Sequence, residues 1–286
     1  MIKIYYTLIL ILFFSSTVIS QSSVYEVKGK GSRLYVGGSI HLLRERDYPL
    51  PKEFDLAFDR SEILVLETDI SKMEDPAIAQ KMLGMTMYQD ERTLKTVLNE
   101  EVYKELETAC ANYKIPLANM VKLKPSMVIM TLTIMELQKL GVASEGVDKF
   151  YLKRALKEDK SLLFLETVEE QMNLIVGMGE GNENEFVQHS LKDLEENSEI
   201  FEELIDTWKD GTARPMLRQI KEFKSDFPEL YKLILVDRNN NWIPQLEGYL
   251  KTNEVEFVVV GALHLYGTDG ILRQLKDKGF KVEQVK

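Results

Sequence analysis

Two short patterns in this 286-residue chain carry residues that could do chemistry, and each occurs twice. Leu34-Tyr-Val-Gly-Gly-Ser-Ile-His41 and Phe257-Val-Val-Val-Gly-Ala-Leu-His264 share an apolar run, a glycine, two residues and a histidine. Ile63-Leu-Val-Leu-Glu-Thr68 and Leu162-Leu-Phe-Leu-Glu-Thr167 share an apolar run closed by Leu-Glu-Thr. The chain has three histidines, so two of them occupy matching positions. Imidazoles and carboxylates together suit a divalent transition metal with positions left open for water and substrate. On that reading His41, His264 and Glu67 are the metal ligands, and a glutamate, Glu67 or Glu166, takes the proton of a metal-acidified water. Without a metal, the same set serves general acid–base catalysis. The plain alternative is that each glutamate caps a helix and each histidine bonds a loop. Burying four ionisable groups without a use is costly, which favours a site for the set as a whole.

Weaker candidates surround this set. Arg238 opens Arg238-Asn239-Asn240-Asn241-Trp242 after the apolar run 233–236. It is expected to clamp a carboxylate or steady an oxyanion, or else to pair with a surface glutamate. His189, inside an acidic amphipathic stretch, is expected to be solvated. No Gly-x-Ser-x-Gly elbow and no His-Glu-x-x-His helix occurs, so serine-hydrolase and zincin readings lack support. The lone Cys110 excludes an internal disulfide, a cysteine zinc knuckle and an iron–sulfur cluster. Gly29-Lys-Gly-Ser32 lacks the gap of a phosphate loop and leads into a strand. A net charge of -10 argues against nucleic acid or an anionic membrane as partner.

Elements able to position these residues are legible. Residues 24–27 and 33–37 read as a hairpin, and 62–66, 161–165 and 257–260 as buried strands, with 281–285 closing the chain as a strand. A helical stretch runs from about Pro76 to Leu156, and its methionine-rich part, 126–140, reads as a central core helix or, alternatively, a lid over an apolar ligand. Residues 184–209 read as an amphipathic helix with Val187, Leu191, Leu194, Phe201, Leu204 and Trp208 on one stripe, stopped by Gly211. Strands separated by helices predict an α/β fold, in which ligands sit beyond the carboxyl ends of the strands. A glycine just past a strand lets the chain turn sharply and aim the next side chain over the sheet edge.

Residues 1–20 read as a signal peptide: Lys3, the apolar run Leu8 to Phe14, then small residues. The apolar run is shorter than a bilayer span requires, which predicts a cleaved leader, no stable membrane span and an exported protein, periplasmic or secreted. No linker-like segment divides 21–286, which is expected to form one domain.

In order along the chain, Gly38 to His41, Leu66-Glu67-Thr68-Asp69, Leu123-Lys-Pro125, Glu145-Gly-Val-Asp148, Leu165 to Gln171, Arg238-Asn239 and Val260 to Leu272 resemble the TraB/PrgY/GumN family. The Tiki proteins, which cleave Wnt, belong to that family, and the chain is distantly similar to the erythromycin-esterase and haem-binding ChaN-like superfamily. The resemblance implies central β-structure built from two related halves flanked by many helices, with helical insertions around 70–160 and 167–252. It also implies a site of His41, Glu67, His264 and Glu166 with Arg238 beside it. Tiki-type members are described as proteases using manganese or cobalt; zinc is the other candidate here. Ser126 stands where many relatives have tryptophan, which bears on the pocket wall. The expected function is therefore an exported metal-dependent hydrolase acting on a peptide or small molecule. The alternatives are metal-free ester hydrolysis and binding without turnover of a peptide, haem or glycan precursor.

Overall fold

The computed structural model describes residues 22–286, so the expected leader lies outside the described residues. The hairpin forms as β1 (Val24–Lys28) and β2 (Arg33–Ser39). Its turn closes through the Gly29 amide, which donates to the Ser32 carbonyl at 2.9 Å. β3 (Leu42–Arg44), β4 (Ile63–Leu66), β5 (Val142–Glu145), β6 (Ser161–Phe164), β7 (Glu256–Gly261) and β8 (Lys281–Gln284) follow. Six of the strands form one sheet in the order β6-β4-β7-β2-β1-β8, and β3 pairs with β5 in a separate ribbon. β6, β4, β7 and β2 run parallel, whereas β1 is antiparallel to both β2 and β8. The fold is α/β, as the alternation of strands and helices predicts. Sequence echoes become spatial neighbours: β2 lies beside β7, and β4 beside β6.

Every residue of β4 is buried, and β7 is buried from Glu256 to Val260, as continuous apolar runs demand in a sheet covered on both faces. β6 departs from the expectation of a buried strand. It alternates between exposed and half-buried positions, with Leu163 38% exposed. Its place at the sheet edge is the reason, and an apolar run by itself does not say which strand has a neighbour on only one side.

Helix α1 (Lys52–Asp59) connects β2 to β4 and turns Phe54, Ala57 and Phe58 inward. Between β4 and β6 lie α2 (Pro76–Thr86), α3 (Leu94–Val97), α4 (Glu100–Asn112), α5 (Pro125–Lys139) and α6 (Val147–Lys157), interrupted by β5. Between β6 and β7 lie α7 (Val168–Gly177), α8 (Glu183–Asp210), α9 (Ala213–Asp226), α10 (Pro228–Tyr231) and α11 (Asp237–Tyr249). Helix α12 (Ile271–Asp277) precedes β8.

The sheet core is knit by aromatic rings, with Phe54 and Trp208 centroids 5.5 Å apart and Tyr151 and Phe257 5.7 Å apart. Helix α8 stops at Gly211, whose φ of 69° is the left-handed turn that glycine takes without steric cost. The Trp208 ring N–H donates to the Gly38 carbonyl at 2.6 Å, tying the last turn of α8 to β2. His189 is exposed on this helix, as expected. Helix α5 is not the central core helix its composition suggests. It belongs to a second core with α4 and α8, around Leu106, Val128, Leu132 and Val187. It buries one face there and leaves Ile134 41% exposed. Composition records how apolar a helix is, and neighbours decide how many of its faces are covered. Among the described residues no helix is long and apolar enough to cross a membrane.

Glu256, at the start of β7, is 1% exposed, and its Oε2 has no hydrogen-bond partner. Burial, reinforced by nearby Glu254 and Glu62, pushes its carboxyl up from 4.5 to about 7. An acid raised in this way binds more protons folded than unfolded. Its stabilising contribution is complete below the unfolded value, fades as pH rises through the folded one and is absent above it. Glu256→Gln is therefore expected to add about 1–3 kcal/mol at pH 8 and little at pH 4. Urea denaturation at the two pH values checks this, and an equal effect at both would contradict it.

Candidate active site

His41, Glu67, Glu166 and His264 each follow the carboxyl end of one of the four adjacent parallel strands, β2, β4, β6 and β7. Register sets Ser39 beside Gly261 and Leu66 beside both Phe164 and Val259, so the strands end level with one another. This is the crevice where open α/β sheets bind ligands.

Arg238 holds three of the four together. A π-helical turn, Lys232–Val236, runs directly into α11, and such bulges recur at functional sites. The guanidinium stacks 4.6 Å from the Trp242 ring, one turn along the same helix. Its Nε donates to Glu166 Oε2 at 3.0 Å, and Nη2 donates to Glu166 Oε1 at 2.6 Å and to Glu67 Oε2 at 2.5 Å. Nη1 donates to His264 Nε2 at 3.0 Å and to the Ile234 carbonyl at 3.5 Å. All five N–H donors of a guanidinium are thereby engaged, which leaves none for a developing oxyanion. Arg238 is thus spent on the chain's own glutamates, buried ones and not the surface glutamate of the plain alternative. The side chains of Arg238, Glu67 and Glu166 are 11%, 8% and 8% exposed, so the cluster is a buried ion network.

Hydrogen bonding assigns the state of His264. Asn239 Nδ2 donates to the carbonyls of His264 and Asp269, which leaves its Oδ1 to accept from His264 Nδ1 at 2.7 Å. The proton is then on Nδ1, and Nε2 offers its lone pair to Arg238. Burial, with Arg238 adding, brings His264 down to about 3, so the ring is neutral. Burial works against the charge on Glu67, but the facing Arg238, the His41 imidazolium and the Gly261 amide outweigh it and hold the carboxyl below its usual range. The Gly261 amide donates to Glu67 Oε1 at 2.7 Å and Gln171 to Oε2 at 3.0 Å. Glu166 is raised by its burial despite the Arg238 contacts.

His41 stands apart from this cluster and is 59% exposed. Its Nδ1 lies 3.3 Å from Asp148 Oδ2, and Ser39 donates to Asp148 Oδ1 at 3.2 Å. Asp148 reaches this point because the amino end of α6 rests on the His41 backbone. The Val147 amide donates to the Ile40 carbonyl at 3.1 Å, and a Cβ at Gly146 would lie 2.2 Å from the His41 carbonyl. Only glycine permits that approach. The ring sits within the pocket, which lowers its tendency to hold a proton, yet the Asp148 hydrogen bond and charge outweigh this and raise it to about 9. His41 is an imidazolium at neutral pH, with Nδ1 held by Asp148 and Nε2 free.

A cavity of about 400 Å³ opens over these groups, lined by His41, Glu67, Thr68, Asp148, Gln171 and Arg238 on its polar side. A Cβ on Gly261 would sit 3.4 Å from Glu67 Oε1 and 3.5 Å from His41 Nε2, so both atoms face the space above that glycine. Glu166 does not line this space but a second cavity of about 520 Å³, with Phe164, Val168 and Met82. His264 lies beneath the floor, 4% exposed. Ser126 does not reach the cavity either, donating instead to the Val176 carbonyl at 3.1 Å.

This donor set does not fit a divalent metal. His264 has given its lone pair to Arg238, and it turns Cδ2, not nitrogen, toward the space above Gly261. A cation beside His264 and Glu67 would meet a guanidinium already bonded to both, in a pocket where like charges repel strongly. Among the described residues no three His, Cys, Asp or Glu side chains form a group able to hold a metal.

Asp148, Asn239, Gln171 and Trp242 complete the site, and sequence reasoning gave none of them a role. The signal available was their place in Glu145-Gly-Val-Asp148, Leu165 to Gln171 and Arg238 to Trp242, next to candidate residues. Fold and site together define an α/β protein with a buried Arg–Glu–His network at its strand ends and one solvent-facing histidine above it. The chain belongs to the TraB/PrgY/gumN family, whose model matches residues 23–284. No curated protein and no solved structure matches it.

Proposed function

We propose that the chain is an exported hydrolase of acyl bonds, with peptides as its substrate class, that works by acid–base catalysis at His41 and Glu67. The observation that carries this reading is the convergence of His41 Nε2 and Glu67 Oε1 on the one space above Gly261. A water there is oriented by Glu67 Oε1, which accepts its proton as the water oxygen bonds to the carbonyl carbon. The His41 imidazolium, held by Asp148, gives its Nε2 proton to the leaving nitrogen as the C–N bond breaks. The products are a carboxylic acid and an amine, and solvent returns the proton from Glu67 to His41. Arg238 keeps Glu67 ionised and fixed, and it touches no reacting atom. The apolar leader supports the exported part of the reading.

The metal-dependent reading draws no support from the way His264 and Glu67 are held. A peptide-library digest by purified protein, with chelator and with added manganese or cobalt, tests the proposal beside His41→Ala. The expected result is cleavage that survives chelation and disappears in the variant. Cleavage that requires added metal returns the site to metal catalysis. A folded protein that cleaves nothing leaves the site a binding site.

A further inference from the structure

Six of the thirteen residues that line the 400 Å³ cavity are polar; the other seven are Leu66, Ile70, Leu174, Ile175, Met178, Ile234 and Val259. Most of these apolar residues have another task. Leu66 and Val259 belong to the sheet core, with Ile70 and Ile234 packed against it. Met178 packs on the second core, and Ile175 on a small cluster with Met172 and Val176. Leu174 belongs to none of the three cores among the described residues, although α7 points it into the cavity beside Gln171. Apart from the free Nε2 of His41, which faces the scissile bond, no charge on the wall is available to a ligand's charge: Glu67 and Arg238 satisfy each other, and Asp148 is taken by His41.

We infer that this wall is a specificity pocket for an uncharged aliphatic side chain, of the size of leucine or methionine, next to the bond presented to His41, with Leu174 its principal contact. The inference deepens the hydrolase reading and rests on it for the position of the scissile bond. Burial of such a side chain against Leu174, Ile70 and Ile234 is favourable, whereas a charged side chain would lose its hydration there without a partner. Met178 in the wall allows adjustment among aliphatic shapes.

The test compares dansyl-Gly-Leu-Gly-amide with dansyl-Gly-Ser-Gly-amide, binding being read by fluorescence polarisation and cleavage by product analysis of the same samples. The native protein is expected to bind the leucine peptide about tenfold more tightly than the serine peptide, or better. In Leu174→Asn that ratio is expected to fall toward one, with the circular dichroism and melting temperature checked for an intact fold. Equal affinities in the native protein, a preference that survives Leu174→Asn, or no binding of either peptide would each overturn the inference. Leucine preference without any product would overturn the hydrolase reading and leave the pocket standing.

Discussion

Arg238→Ala is expected to destabilise the protein by about 3–5 kcal/mol, the cost of leaving buried carboxylates without their counter-charge. Three groups lose their partner at once, because Arg238 bonds Glu67, Glu166 and His264. At this chain length the loss corresponds to a melting temperature lower by about 10 °C. Arg238→Lys is expected to recover part of it, since the ammonium keeps the charge but cannot span two carboxylates and an imidazole with a planar fork. Adding Glu67→Gln and Glu166→Gln to Arg238→Met removes the charges as a set and is expected to restore most of the stability without restoring activity. Thermal and urea denaturation of the series decides the matter. If Arg238→Ala melts like the parent, the ion network does not hold the strand ends together.

His41→Ala is expected to behave in the opposite way, with hydrolysis falling by about 10²–10⁴ and stability nearly unchanged. The ring is largely exposed and packs in no core, so its removal leaves neither a cavity nor a buried orphan. The pH dependence follows from the state of the ring. With the imidazolium persisting to about 9, the rate is expected to stay level through neutral pH and to fall as pH rises through that value. Loss of the proton on the alkaline side is the sign required of an acid catalyst; a histidine acting as base would gain activity over the same window. Asp148→Asn removes the anion that holds the proton and is expected to move the alkaline limb down toward the ordinary 6.5. An unmoved limb would show that Asp148 does not set the state of His41.

The repeated Gly-x-x-His and Leu-Glu-Thr strings make four site residues visible in the amino-acid order itself, because both the strand signal and the glycine turn are local. Local signals also predict the β1–β2 hairpin, the Gly211 stop of α8 and the α/β class. They misjudge β6, since edge position is a property of pairing, and α5, since coverage of a helix is a property of its neighbours.

What the sequence alone determined is that imidazoles and carboxylates sit at strand ends, a consequence of side-chain type and of short-range backbone preference. The tertiary structure decided how those groups are spent. It set Asp148 against His41, 107 positions away along the chain, and Arg238 against Glu67, 171 positions away. It also put Glu166 in a different cavity from His41. Hydrogen bonds are directional and saturable, so which lone pair remains free at His264, and which proton at His41, depends on partners that only folding brings within reach.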